Sequence, residues 1–480
     1  MRRWTCLKTI SIFLILIMAL LLIAIPVLKY RIPFSWDVWF HIRMGESFTH
    51  GFVWWDWGSF GPTGRPNLYP PAFHILLALI SKIGGWSTQS VARYLPMLLY
   101  PLTAFLIYWF SKLLFDRKVG IFSSIMYIFI PVAVDRGVIS SPQALAIILM
   151  LLSMIFLIKS EEDWRFSVLA GVFGAGVVLS HGLTLIMFSI MLILYGSFTY
   201  FLVYKHDKAE QWRMLRNILV VVGLSAILPS YWLYYLFDHG VYSRIPESVA
   251  MSIKDYPVKL GVFQLALSFV GAGIAYVNRK RSDIFMMSLY IIAFILTTSL
   301  FWVLPSRYIE FLAIPVAILA ALGLRHLLSS SKEVIAIGIV GIFLVTMSAP
   351  LDYVDSISPL VYENEEQSFL WLRDYAVVDG QIMTGWFFAP ISAAISGKIP
   401  IKGSYYSGSF RYSERTNDTN DFYHGDMSIL DKYDVRVVYV GRKERYDYEE
   451  VALLDGRDSF NKLYSCEENA FYSVAVERLN

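Results

Sequence analysis

Long apolar runs dominate the first 350 residues of the chain, and shorter alternating stretches replace them afterwards. The runs fall near 10–27, 71–81, 94–115, 119–134, 142–158, 166–180, 183–204, 217–237, 260–277, 284–304, 308–327 and 334–349. A helix needs about 20 such residues to cross a bilayer. Segment 71–81 is shorter, follows Pro70-Pro71 and ends at Lys82 and Gly84-Gly85, so the pattern predicts a helix at the membrane surface or re-entering it. Eleven predicted spans remain. An N-terminal run of this length without a small-residue cleavage site reads as a retained first span rather than a signal peptide.

Beyond residue 350 the pattern is that of a water-facing domain. Val435–Val440 (VRVVYV) predicts a buried strand and 471–476 another, while 367–375 predicts a short helix. Asn417-Asp418-Thr419 is a formal glycosylation sequon. The organisation expected is a transmembrane domain over 1–350, with an external loop at 29–93 carrying the surface helix, and a soluble α/β domain over 351–480.

Composition agrees. The 480 residues are 56% hydrophobic and 16% charged, against about a quarter charged in soluble proteins. That excludes a soluble enzyme, a disordered chain and an ordinary nucleic-acid binder. The net charge of +3 is unevenly spread: 1–350 carries +12 and 351–480 carries −9. With 71–81 not spanning, basic residues recur at every turn assigned to the cytoplasm, from Arg2/Arg3/Lys8 to Arg325/Lys332. Counting 71–81 as a span breaks that pattern. The N-terminus is then cytoplasmic, and the first loop, a loop at 238–258 and the acidic tail are extracytoplasmic. With two cysteines, Cys6 and Cys466, on opposite sides, no disulfide framework or cysteine metal cluster arises.

Ionisable residues beside a membrane point to function, and here they lie on one side. Asp37, His41 and Arg43 fall within seven residues, wrapped in aromatics. Asp37 and His41 share a face if the stretch is helical. The carboxylate suits a general base or a metal ligand, and His41 and Arg43 suit phosphate oxygens. The same residues also read as an interfacial aromatic belt with ordinary loop charges. Asp56 and Trp57 in Trp54-Trp55-Asp56-Trp57-Gly58, with His74 and His181, are candidate acceptor or sugar contacts, or interface anchors. Asp135 lies in a short outward turn beside Arg136, its alternative reading being a pair between these neighbours. Glu247 sits in the later external loop, where it can close over a substrate. Arg307 suits a lipid phosphate, and Glu310 is its expected partner. A transporter would place critical charges at mid-membrane between repeated halves, and neither feature stands out.

These residues resemble the GT-C superfamily of membrane glycosyltransferases, leaning toward the catalytic subunit of oligosaccharyltransferases. Asp37-Val38-Trp39-Phe40-His41-Ile42-Arg43 resembles that family's first-loop motif, and Pro62-Thr63-Gly64 with Tyr69-Pro70-Pro71 its continuation. Asp135 stands at the second-loop acidic motif, Glu247-Ser248 at the late acid over the acceptor, and Arg307 at the lipid-phosphate arginine. In the tail, 379–402 and Tyr433–Gly441 are similar to stretches of its soluble domain. The chain departs from the family at Gly385-Trp386-Phe387-Phe388, which lacks the acid of the family's Trp-Trp-Asp-Tyr-Gly acceptor motif, and in having fewer spans.

The resemblance implies an inverting transferase of the plasma membrane that takes a sugar from a polyprenyl- or dolichyl-phosphate carrier to an extracytoplasmic protein, lipid or glycan acceptor. It implies catalytic roles for Asp37, Asp135 and Glu247, phosphate contacts from His41, Arg43 and Arg307, and a Mg2+ or Mn2+ ion shared by Asp37 and Asp135. An oligosaccharyltransferase for protein N-glycosylation and a transporter or lipid flippase are the alternatives.

Overall fold

A computed structural model describes residues 2–239, 251–298, 304–330, 356–376, 378–402, 411–448 and 457–474, with isolated positions between them. The chain divides into two compact units. One holds residues 1–29, 94–234 and 245–357; the other holds 30–93, 235–244 and 358–480.

The first unit is helical. Each of the first ten predicted spans corresponds to a helix, while the eleventh, 334–349, lies outside the described residues. By length and apolarity, five described helices can cross a membrane: Ile10–Lys29, Thr88–Leu114, Pro142–Lys159, Gly182–Val203 and Pro305–Ser329. Two bent pairs raise this to seven. Arg117–Ile128 meets Pro131–Gly137 at 70°, and Lys208–Ile227 meets Ser230–Asp238 at 53°. Pro131 and Pro229 stand at these breaks, where a proline removes one backbone donor and clashes with the preceding turn.

Close backbone approach holds the unit together. Helix Val262–Asn278 packs on Ile309–Ser330 at Gly271 and Gly323. A Cβ on Gly271 would sit 1.8 Å from the Leu319 carbonyl oxygen, and one on Gly323 2.4 Å from that of Leu267. Lipid supplies no hydrophobic drive between helices, so contact depends on such small residues.

The second unit joins the loop segment 30–93 to the C-terminal segment. Its four-stranded sheet runs in the order Gln381–Met383, Val435–Val440, Asn469–Val474, Phe460–Cys466. The first pair is parallel and the others antiparallel. Five of the six side chains of Val435–Val440 are buried, as its unbroken apolar run requires for a strand covered on both faces. On one face Phe369, from helix Glu363–Tyr375, packs on Tyr439 and Phe471 at centroid distances of 4.6 and 5.5 Å. On the other lie Val435, Val438 and Tyr472 with Phe422, Ile429 and Leu430. The sequon lies inside helix Tyr412–Tyr423, where Thr419 is buried and its hydroxyl donates to the Arg415 carbonyl at 2.7 Å. The folded domain therefore does not present it for glycosylation.

The loop itself is ordered by two helices. Val38–Thr49 packs on Ala72–Gly84, the latter stopped by Gly85 at φ +67. Phe40, Met44 and Phe48 of the first meet Ala78 of the second. The predicted surface helix thus buries Phe73, His74, Leu77, Ala78 and Ser81.

Candidate functional site

Helix Val38–Thr49 forms over the predicted motif, and Asp37 is its N-cap residue. The carboxylate does not cap the helix. It accepts instead from the Ser35 hydroxyl and stays partly exposed. Beside it Trp36 turns into the C-terminal segment. Its Nε1 donates to the Phe387 carbonyl at 2.5 Å, and its ring meets Trp386 edge-on at 5.3 Å and stacks on Phe387 at 6.5 Å. Trp386 is 45% exposed. A carboxylate with free capacity and an exposed indole therefore neighbour one another along Trp36.

His41 goes elsewhere. Its Nδ1 lies 2.9 Å from His74 Nε2, and both rings are buried. Phe40, Phe48, Tyr69 and Phe73 enclose them. Burial, with His41 alongside, holds the His74 pKa well below the usual imidazole value. The pair fastens the two loop helices and offers no exposed imidazole to a phosphate or a sugar.

Arg43 is half-buried, with Glu46 at 3.6 Å. Its guanidinium rests on Gly58, where a Cβ would lie 2.6 Å from Nε. Arg43 Nε is buried without a hydrogen-bond acceptor among the described residues. A buried charged donor of this kind is costly unless an anion completes it.

Asp56 is framework. It is buried, its Oδ2 lies 3.2 Å from Arg65 Nε and its Oδ1 accepts from the Ser59 amide at 3.0 Å. Trp57 is exposed, 6.0 Å from Trp55 between ring centroids. Gly64, at φ +64, carries these indoles: a Cβ there would stand 2.4 Å from Trp55 and 2.8 Å from Trp57.

Two anchors have little signal in the sequence. Arg415 Nη1 donates to the Gly61 carbonyl at 2.6 Å and to that of Ile401 at 3.0 Å, and its guanidinium lies 4.4 Å from the Phe60 ring. Glu444 is fully buried and accepts from the amides of Gly385 and Gly441 at 2.8 and 3.1 Å. Burial pushes its pKa up to about 7 against the pull of those amides. A glutamate after a buried strand and a glycine is the one hint sequence offers for the second anchor.

In the helical unit, Asp135 is half-buried in Pro131–Gly137, with no ion pair among the described residues. Arg136 pairs with Glu310, Nε to Oε1 at 2.9 Å, rather than with its neighbour Asp135. Glu310 is thus the partner of Arg136 and not of Arg307. The pair lines a cleft of about 30 Å³ with Tyr100 and Tyr127, room for water and not for a sugar. Arg307 ends the turn Pro305–Arg307 and is half-buried. His181 precedes helix Gly182–Phe198, its Nδ1 3.1 Å from the Thr184 hydroxyl. Glu247 lies outside the described residues. Among the described residues no group of three or more His, Cys, Asp or Glu forms a metal-ligand set. Asp37 and Asp135, expected to share an ion, belong to separate units.

Residues 69–235 match the family model described as dolichyl-phosphate-mannose-protein mannosyltransferase. No curated protein sequence matches the chain. Among solved structures, the oligosaccharyltransferase of Archaeoglobus fulgidus tethered with an acceptor peptide superposes with a TM-score of 0.68 at 13% identity, covering 97% of this chain and 74% of that one. ArnT from Cupriavidus metallidurans bound to undecaprenyl phosphate gives 0.64 at 13%, covering 99% and 98%. The arabinofuranosyltransferase AftD from mycobacteria gives 0.64 at 13%, covering 99% and 40%. The chain has the fold that these three solved structures share, and about a third of it matches a membrane glycosyltransferase family model.

Proposed function

We propose that the chain transfers a sugar, with inversion, from a polyprenyl- or dolichyl-phosphate carrier to an acceptor hydroxyl on the extracytoplasmic side of the plasma membrane. The acceptor oxygen attacks the anomeric carbon, the bond from that carbon to the carrier phosphate breaks, and the acceptor proton passes to Asp37. The carrier phosphate leaves as an anion and needs charge stabilisation rather than a proton. Arg43, in the same unit as Asp37, supplies it. Trp386 and Trp57 offer indole faces to a sugar. The observation that carries this reading is the partly exposed Asp37 carboxylate at one end of a helix whose Arg43 holds a buried, unsatisfied donor. The carriers named with similar folds, dolichol-phosphate in the archaeal enzyme and undecaprenyl phosphate in ArnT, support a lipid-phosphate donor.

A role for Mg2+ or Mn2+ belongs to the same proposal, and no step depends on it. Purified protein incubated with a panel of polyprenyl-phosphate sugars and candidate acceptors is expected to release polyprenyl phosphate and form a glycoside. Asp37→Asn should abolish both. Release that persists unchanged in the variant would remove Asp37 from the mechanism. Loss of turnover on chelation, restored by either cation, would establish the metal.

Transfer to protein asparagine is the second reading, favoured by the superposition on a peptide-tethered oligosaccharyltransferase. Gly385-Trp386-Phe387-Phe388 offers no acid to an acceptor peptide, which weighs against it. Glycosylation of a sequon peptide would restore it. Carrier movement across vesicles without sugar transfer would mark a flippase.

A further inference from the structure

Away from these residues, the helical unit carries an apolar groove of about 570 Å³ between Gly182–Val203 and Lys208–Ile227. Leu192, Ile193, Gly196 and Phe201 line one side, and Met214 and Val222 the other. The positions repeat at three- and four-residue steps, so each helix gives the groove one continuous face. Leu192, Gly196 and Met214 form a buried floor, while Ile193, Phe201 and Val222 stand exposed as walls. The first helix ends in a π-helical turn, Thr199–Val203, whose Phe201, Leu202 and Val203 project outward. Turns of this kind are uncommon and cluster at functional sites.

Length and charge name the occupant. From Ser189 to Phe201 the groove runs about 18 Å at the α-helical rise, close to the roughly 15 Å of hydrocarbon in one leaflet. That fits one acyl chain. The closed end of the hairpin lies immediately beyond, at 204–207. Lys205 and Lys208 are exposed there, with no ion pair among the described residues, and Trp212 beside them is 69% exposed. Asp207 accepts from the Glu210 amide at 3.1 Å and Glu210 pairs with Arg213 at 2.5 Å, so neither acid forms an ion pair with these lysines, and Lys205, Lys208, Arg213 and Arg216 outnumber the two acids. An exposed indole beside basic residues marks a membrane interface.

We propose that this groove is a binding site for an anionic phospholipid of the cytoplasmic leaflet. One acyl chain lies on Leu192, Gly196 and Met214, and the headgroup phosphate lies against Lys205 and Lys208. None of its lining residues belongs to the proposed donor and acceptor chemistry, and its occupant is a lipid that the enzyme does not consume.

Full-length protein in nanodiscs of mixed phosphatidylglycerol and phosphatidylcholine with matched acyl chains, then transferred to detergent, tests this by native mass spectrometry of retained lipid. The wild type is expected to retain phosphatidylglycerol over phosphatidylcholine by about tenfold or more. Lys205→Gln with Lys208→Gln should abolish that preference. Ser197→Trp and Gly196→Leu, which fill the groove, should each lower retention of both lipids; having two fillers guards against one failing to fold. Equal retention of the two lipids by the wild type, or retention unaffected by either well-folded filler, would overturn the proposal. Displacement of the bound phospholipid by equimolar polyprenyl phosphate would also overturn it, giving the groove to the donor's tail.

Discussion

The indole Nε1 of Trp36 donates to the carbonyl of Phe387 at 2.5 Å, joining two residues 351 positions apart in the chain. Trp36 is bonded directly to Asp37, so the C-terminal segment holds the residue beside the proposed base. Trp36→Phe keeps an aromatic side chain but removes the pyrrole ring and its donor. It is expected to destabilise the protein by about 0.5–1.5 kcal/mol. Trp386→Ala removes an edge-on partner worth about as much again. In a double-mutant cycle followed by thermal unfolding the two losses should be less than additive, because both act on one cluster. Strict additivity would show that the hydrogen bond and the ring contact are independent.

Asp56 and Arg65 are both buried and face each other at 3.2 Å. Removing one partner of a buried ion pair costs up to about 3–5 kcal/mol. Asp56→Asn should therefore lower the thermal midpoint and the yield of folded protein. Turnover per folded molecule should stay near that of the wild type. A variant of unchanged stability but lost turnover would make Asp56 a substrate contact after all.

Glu444 gives the C-terminal segment a definite pH response. Its folded pKa of about 7 lies above the ordinary glutamate value of 4.5. The folded state thus binds more protons than the unfolded one between these values, and stability rises as pH falls from 7 to 4.5. Across that window the contribution is on the order of 3 kcal/mol. Glu444→Gln is expected to flatten this slope, read as the difference in thermal midpoint between pH 7.5 and 5. The same slope in the variant would assign the response to another group.

His74 acts with the opposite sign. Burial, with His41 beside it, holds its pKa well below the ordinary imidazole value of 6.5. The unfolded chain takes up the proton first, so this contribution is complete above pH 6.5 and is lost as pH falls below it. His74→Gln should remove that acid sensitivity from the packing of Val38–Thr49 on Ala72–Gly84. Amide hydrogen exchange over 38–49 and 72–84 measures it directly. Exchange that accelerates in acid equally in both proteins would exclude His74 as the cause.

Much of the fold was legible because its signal is local. A bilayer imposes length and apolarity on each span, and these can be read in any twenty residues. Helices stand where the first ten spans were predicted, of which five, or seven with the bent pairs, are long and apolar enough to cross; the strand Val435–Val440 and the helix after Pro71 follow from their own local patterns. Kinks are written equally locally, in Pro131 and Pro229. The motif at 36–43 was visible for the same reason, since its residues are consecutive.

Partners were not legible, because a side chain's partner depends on where distant segments fold. Asp37, His41, Asp56 and His74 look alike in sequence as polar groups in an aromatic loop. Tertiary structure leaves Asp37 partly exposed on a serine, while it buries His41 against His74 and Asp56 against Arg65. It gives Glu310 to Arg136 across 174 residues of sequence. It also brings Phe387 to Trp36 and Arg415 to Gly61. The sequence by itself determined that this is a chain of long apolar helices followed by a polar, acidic segment. Only the packing decided which of its charges face solvent and which hold the framework, because burial and pairing are properties of the folded neighbourhood.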